Sequence, residues 1–255
     1  MRLLALLMGA AVLATTPAAY LQSQQQQDGG WGSPQVTAWA ALGLSAADAD
    51  TRGALGYLVA HESELSKPTE VALAATAEAA LGRYPQELLA RLPAKPDAVN
   101  AAVWQIFAFR QSGRAAPRAL VSYVRVSQSR SGGFPWIRGT APDSNVTAWA
   151  VQALRAAGVS GKPIARAIAF LRTLKARDGG IRLVAGRAPD AQSTALAIQA
   201  FVAAGIKPPQ DAFAFLAKLR RADGSYRYSR AYATTPVWVT AQVLPALFKR
   251  PLPLR

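Results

Sequence analysis

The sequence contains no cysteine, which removes disulfides, thiolate nucleophiles, thioesters, cysteine-held zinc and a lipid anchor on an N-terminal cysteine. Histidine is almost as scarce. The single His61 lies beside Glu62 and Glu64 on an amphipathic stretch, has no nucleophile elbow near it, and reads as a surface residue. Acidic residues are few, 14 Asp+Glu against 29 Lys+Arg, for a formal net charge of +15. Aromatic residues make up 8%, and alanine is plentiful, which favours close-packed helices over sheet. Beyond the N-terminus no stretch is apolar enough to span a bilayer.

The charge is uneven. Residues 1–110 carry seven Lys/Arg and nine Asp/Glu, whereas residues 111–255 carry 22 and five. Such asymmetry predicts an anionic partner: an acidic envelope polymer, a glycan, a phospholipid surface or an anionic small molecule. An arginine-rich composition decorating solvent-facing helices accounts for it equally well. No nucleic-acid motif is present, and none is expected of an exported protein.

Export is the reading of the N-terminus. Arg2 supplies a short positive region and Leu3 to Leu13 an apolar core too short to span a membrane comfortably. Thr16-Pro17-Ala18-Ala19 offers a cleavage site after Ala18 or Ala19. The expected organisation is a signal segment over 1–19 and one domain over 20–255. The location is then outside the cell or in its envelope, with no stable membrane span after cleavage.

Internal repetition is the most informative feature. Asp28-Gly29-Gly30-Trp31, Ser131-Gly132-Gly133-Phe134, Asp178-Gly179-Gly180-Ile181 and Asp223-Gly224-Ser225-Tyr226 share one form. An aromatic–aliphatic pair precedes each: Tyr20-Leu21, Tyr123-Val124, Phe170-Leu171 and Phe215-Leu216. Tyr57-Leu58, and more weakly Leu88-Leu89, mark two further units in the long first gap. Alanine-rich runs follow at 36–44, 71–81, 99–109, 146–154, 194–202 and 237–248. The first segment of a unit is amphipathic, as in Ile164 to Arg172. The second is apolar nearly all round, as in Ser193 to Ala204, and must be buried on most sides. Two concentric helical layers, closed into a ring, meet that requirement. Pro34, Pro68, Pro96, Pro117 and Pro163 mark helix starts, Asp143 and Asp190 are caps, and Gly158 and Gly205 are stops.

Gln25-x-x-x-Gly29-x-Trp31 resembles the glutamine–tryptophan motif of squalene–hopene cyclases, and Gln128-x-x-x-Gly132-x-Phe134 is similar. Lys175 and Arg220 replace glutamine in the later copies. Pro189 to Ala197 looks like an inner-helix start of the same broad group of squalene cyclases and prenyltransferases. The resemblance implies an all-α (α/α)6 toroid of about six helix-pair repeats with a central cavity. It assigns Gln25, Trp31 and Gln128 a structural role, tying an outer helix to the next turn. The group's reactive parts do not follow. There is no Asp-x-Asp-Asp acid, no Asp/Cys/His zinc set and no pyrophosphate–magnesium motif, so no catalytic residue, metal or cofactor is expected. Asp48-Ala49-Asp50-Thr51 is the nearest string, and it reads as helix-capping residues.

One polar constellation remains, in the long connections into the last three inner helices. Arg138, Arg182, Arg187, Arg227 and Arg230 lie there with Trp136, Tyr226, Tyr228, Tyr232 and Trp238. Asn145, Gln192, Thr194 and Thr240 stand in the first inner turns. Arginine forks and helix N-termini favour an anion, and aromatic faces a ring. The alternative is solvated loop arginines and core-filling aromatics. The function that follows is an exported, non-catalytic module binding an anionic or ring-containing ligand in the cavity. A terpene-cyclase or prenyltransferase type of enzyme is the first alternative. An envelope-polysaccharide lyase or hydrolase is the second; Asp143 and Asp190 are its candidate carboxylates.

Overall fold

A computed structural model describes residues 15–254. The apolar run Leu3–Leu13 lies outside them. Six inner helices are α2 (Pro34–Ala46), α4 (Pro68–Ala80), α6 (Val99–Gln111), α8 (Ser144–Ala156), α10 (Ala191–Ala203) and α12 (Pro236–Leu247). Each packs on the next, and α12 packs back on α2 to close the ring. The outer helices, mostly shorter, are α1 (Pro17–Ser23), α3 (Ala54–Ala60), α5 (Gln86–Ala90), α7 (Arg118–Val126), α9 (Lys162–Thr173) and α11 (Gln210–Leu219). This is the (α/α)6 toroid the repeats predict.

The layers differ as their sequences require. The middle of α8 is buried from Val146 to Leu154 without interruption, whereas α7 buries only Leu120 and Val124. Ring closure depends on Gly43 in α2. A Cβ there would stand 2.5 Å from the Ala241 carbonyl oxygen of α12. No larger side chain fits between two backbones at that distance.

The motif residues fasten one unit to the next. The Gln25 side-chain amide donates to the carbonyls of Gly29 (2.8 Å) and Arg52 (2.6 Å). Gln128 does the same to Gly132 and Pro163, both at 2.8 Å. The substituted copies still fasten neighbouring units. Lys175 pairs with Asp211 at the start of α11, and Arg220 donates to the Thr15 carbonyl at 2.8 Å. Gly132 has φ +95, and a Cβ on it would lie 2.5 Å from the Arg166 carbonyl oxygen of the following outer helix. Both the left-handed backbone and the close approach demand glycine. Gly224 repeats this against Thr15 and Thr16, so the residues just before α1 close the outer layer. Thr16 also caps α1, its hydroxyl accepting from the Ala19 amide at 3.1 Å.

Proline stands at the start of α2 and α4, Asp143 and Asp190 are N-caps, and Gly158 and Gly205 take positive φ after α8 and α10. Two of the long connections contain small antiparallel hairpins: β1 (Phe134–Pro135) with β2 (Pro142–Asp143), and β3 (Ile181–Arg182) with β4 (Pro189–Asp190). Among the described residues no helix is long and apolar enough to cross a membrane.

Candidate functional site: the N-terminal mouth of the ring

The hairpins bring chain over the N-terminal ends of the inner helices. The Trp136 carbonyl accepts from the amides of Val99 (3.0 Å) and Asn100 (3.3 Å) at the start of α6. The Leu183 carbonyl takes the Ser144 amide of α8 (2.9 Å), and the Tyr228 carbonyl takes the Ala191 amide of α10 (2.7 Å). Asp143 accepts from the Val146 amide at 2.8 Å and Asp190 from the Ser193 amide at 2.7 Å. These donors at three helix starts are therefore satisfied within the chain rather than left for an anion. Burial pushes the carboxyls of Asp143 and Asp190 up, against the pull of their hydrogen bonds to amides.

Below the mouth, tryptophans from α2, α6, α8 and α12 fill the axis. The ring of Trp39 lies 5.3 Å from Trp104, 6.2 Å from Trp149 and 5.8 Å from Trp238, centroid to centroid. Trp104 and Trp149 meet at 5.5 Å. The central cavity implied by the resemblance is here a pocket of about 140 Å³ above these rings. Gln35, Thr69, Glu70, Leu73, Asn100 and the half-exposed Trp136 complete its lining.

Glu70 is the one ionisable side chain of that lining. Its Oε1 accepts from Gln35 Nε2 (2.8 Å) and Lys67 Nζ (3.0 Å), and its Oε2 from the Lys67 amide (3.3 Å). Burial pushes its carboxyl up, but the hydrogen bonds and charge of Lys67 outweigh burial and hold it below the usual range. Two fully buried polar atoms of lining residues have no partner: Asn100 Oδ1, in a residue 2% exposed, and Trp149 Nε1, in one 7% exposed. An orphaned buried acceptor and donor in a pocket wall call for a partner.

A neighbouring pocket of about 260 Å³ shares Trp238 and adds Gln192, Tyr228, Thr234, Thr235 and Val239. At the opposite end a depression of about 380 Å³ is lined by Gln152, Arg155, Lys249, Arg250 and the terminal segment from Pro251. Two of its cations are engaged: Arg155 donates to the carbonyls of Ala203 (3.2 Å) and Val159 (3.1 Å), and Arg250 pairs with Asp48 at 2.5 Å.

The expected site residues divide. Trp136 lines the mouth pocket, and Gln192 and Tyr228 line its neighbour. Thr194 is occupied inside the fold, its hydroxyl accepting from the Ile181 amide (2.9 Å) and facing the Asp190 carbonyl (2.6 Å). Thr147 and Thr240 meet the amides of Phe134 and Tyr226 in the same way. Asn145 is half-buried beside Ser144. Arg138 and Arg187 are exposed on the hairpins, and Arg230 pairs with Asp178 at 3.1 Å. Arg182 reaches toward the Leu174 carbonyl (3.5 Å), and Arg227 has a buried, unpartnered Nε. None of these five arginines lines the three pockets described. Sequence reasoning missed Trp39, Trp104, Trp149, Gln35, Glu70 and Asn100. The signal was present: Thr-Ala-Trp-Ala recurs at 37–40 and 147–150, with Gln35 and Asn145 one helical turn before each tryptophan. Among the described residues no group of His, Cys, Asp and Glu is placed to hold a metal ion.

Architecture and mouth together define a helical toroid with the terpenoid-cyclase-like fold. The type II terpene cyclase MstE from Scytonema, in its apo form, has a similar structure: TM-score 0.73 at 15% identity, over 91% of this chain and 96% of that one. The ent-copalyl diphosphate synthase from Streptomyces platensis gives 0.59 at 17% identity over 85% of this chain and 50% of that one. A glycosidase (F290Y) gives 0.57 at 14% identity over 91% and 94%. No protein-family profile matches the sequence, and no curated protein does. At such identities the likeness is one of fold, and proteins with different chemistry share it.

Proposed function

We propose that this chain is an exported, non-catalytic binding module on the terpenoid-cyclase-like fold, taking its ligand at the N-terminal mouth. The observation that carries this reading is the tryptophan-filled axis. It leaves pockets of about 140 and 260 Å³ that share Trp238, each below the roughly 300 to 1,000 Å³ of pockets for drug-sized ligands. An isoprenoid chain has no room to fold there. The carboxyl at the pocket also has the wrong protonation for an acid catalyst, because Glu70 is held ionised. Indole faces and the small volume favour a compact group held against aromatic walls, so a small part of the ligand belongs to the pocket. The anionic part belongs to the exposed Arg138 and Arg187, where an acidic envelope polymer would be held with steep salt dependence.

The test is incubation with polyprenyl pyrophosphates and squalene, together with native mass spectrometry of the protein taken from its source. No turnover and a small co-purified ligand are expected; conversion of any polyene to a cyclic product sinks the reading. Export has its own test. Cleavage after Ala18 or Ala19 would remove the Thr16 cap and the Thr15 carbonyl that holds Arg220. Sequencing the N-terminus of secreted protein shows whether those residues stay with the fold.

A further inference from the structure

We infer that the mouth pocket recognises a methylated ammonium group, the headgroup of a small organic cation or of a larger ligand that inserts it. This rests on the proposed role of the mouth as a binding site and names the chemistry of what enters. Five indoles border the pocket: Trp39, Trp104, Trp136, Trp149 and Trp238. Trp39 is inclined at 88° to Trp104 and at 55° to Trp238, and Trp104 at 64° to Trp149. Only Trp39 and Trp149 approach parallel, at 29°, and their 6.2 Å separation leaves no slot between them, so the inclined rings wall a box. A slot suits a planar ring, whereas a box suits a compact group.

Size points the same way. A dry cavity of roughly 150 Å³ accepts a benzene-sized guest, and a trimethylammonium group falls within that limit. Charge separates it from a neutral group of the same shape. In a chain of net charge +15 this lining holds one carboxylate, Glu70, and no cation. Lys67, which pairs with Glu70, sends its ammonium outward, 72% exposed. Indole faces attract cations through the ring quadrupole, and the Glu70 carboxylate acts in the same direction.

The experiment is calorimetric titration of the intact chain with choline, with its uncharged carbon isostere 3,3-dimethyl-1-butanol, and with phenol as a planar ring. Choline should bind at least about tenfold tighter than the isostere. Glu70→Gln should weaken choline about tenfold and leave the isostere unmoved. Trp136→Ala, on a half-exposed side chain that folding does not need, should weaken it about threefold. Lys67→Gln should tighten it by removing the competing cation. Equal binding of choline and isostere, or binding of phenol alone, overturns the cation assignment and leaves the mouth as a binding site. Binding of none of the three overturns both.

Discussion

The two ends of the ring are closed in different ways. At the C-terminal end of the inner helices the chain seals itself. The Leu252 amide donates to Gln152 Oε1 at 2.9 Å, and the Leu254 amide to Gln111 Oε1 at 2.6 Å, with Leu252 only 2% exposed. The terminal segment supplies the partners those inner-helix glutamine oxygens need. At the other end five tryptophans fill the space, yet Asn100 Oδ1 and Trp149 Nε1 remain unpartnered. Unpartnered buried polar atoms occur toward both ends, Glu78 Oε1 and Arg110 Nε on the tail side and these two on the other, so the ends differ in what fills them: chain at one, indole rings at the other.

The largest disruption removes both ends at once. Gly43→Leu drives a side chain into the α12 backbone, which has no flexible end to yield. We expect a loss of about 3 kcal/mol or more in urea unfolding, with tryptophan emission shifted to the red as the indole cluster opens. The sealed end is broken alone by Leu252→Ala. That change should cost about 2 kcal/mol, the lower end for a buried leucine because the 250–254 segment is not helical and relaxes readily, and should leave choline binding at the far mouth unaltered. Coupled loss of stability and binding in this variant would show that the ends are not separate.

A smaller, pH-dependent effect comes from Glu78, also toward the sealed end. Its side chain is fully buried in α4, against Arg83 and Glu62. Burial, then the Glu62 charge, push its carboxyl up to about 7, although Arg83 pulls the other way. The folded state therefore holds a proton that the unfolded chain releases near the ordinary glutamate value. Stability from this group is complete below that value and falls as pH rises through 7, by on the order of 1 kcal/mol per pH unit. Glu78→Gln should flatten the curve of melting temperature between pH 5 and about 7.5. An unchanged slope would mean that Arg83 keeps Glu78 ionised.

The repeat architecture was legible because its constraints are local. Gly132 requires a positive φ and close backbone approach, Gln128 requires a carbonyl at fixed offset, and Asp143 and Asp190 require an amide three residues on. The replacement of glutamine by Lys175 and Arg220 looked like decay, yet each retains a donor of similar reach. The site was less legible because it depends on rotation of whole helices. Whether Trp39, Trp104 and Trp149 point to the axis is set by packing among helices far apart in sequence, and no short window records it. The arginines divide for a related reason. A residue in a short hairpin strand faces one side or the other by strict alternation, and Arg182 falls on the side that reaches Leu174. Nothing in composition announces which.

The smallest expected effect on stability gives the sharpest form of the comparison. Trp136 is the one member of the mouth cluster carried by a hairpin rather than an inner helix, and it is 50% exposed. Its structural role belongs to its carbonyl, which caps α6 through Val99 and Asn100 and survives substitution. Trp136→Ala should therefore cost no more than about 1 kcal/mol. Leu252→Ala, at the other mouth, is expected to cost more while sparing the ligand. If the hairpin tryptophan belongs to recognition and the tail leucine to closure, stability and binding respond in opposite order to the two changes. A Trp136 variant that loses as much stability as the Leu252 variant would place both residues in one continuous core. The mouth would then be an end wall of the fold rather than an entrance.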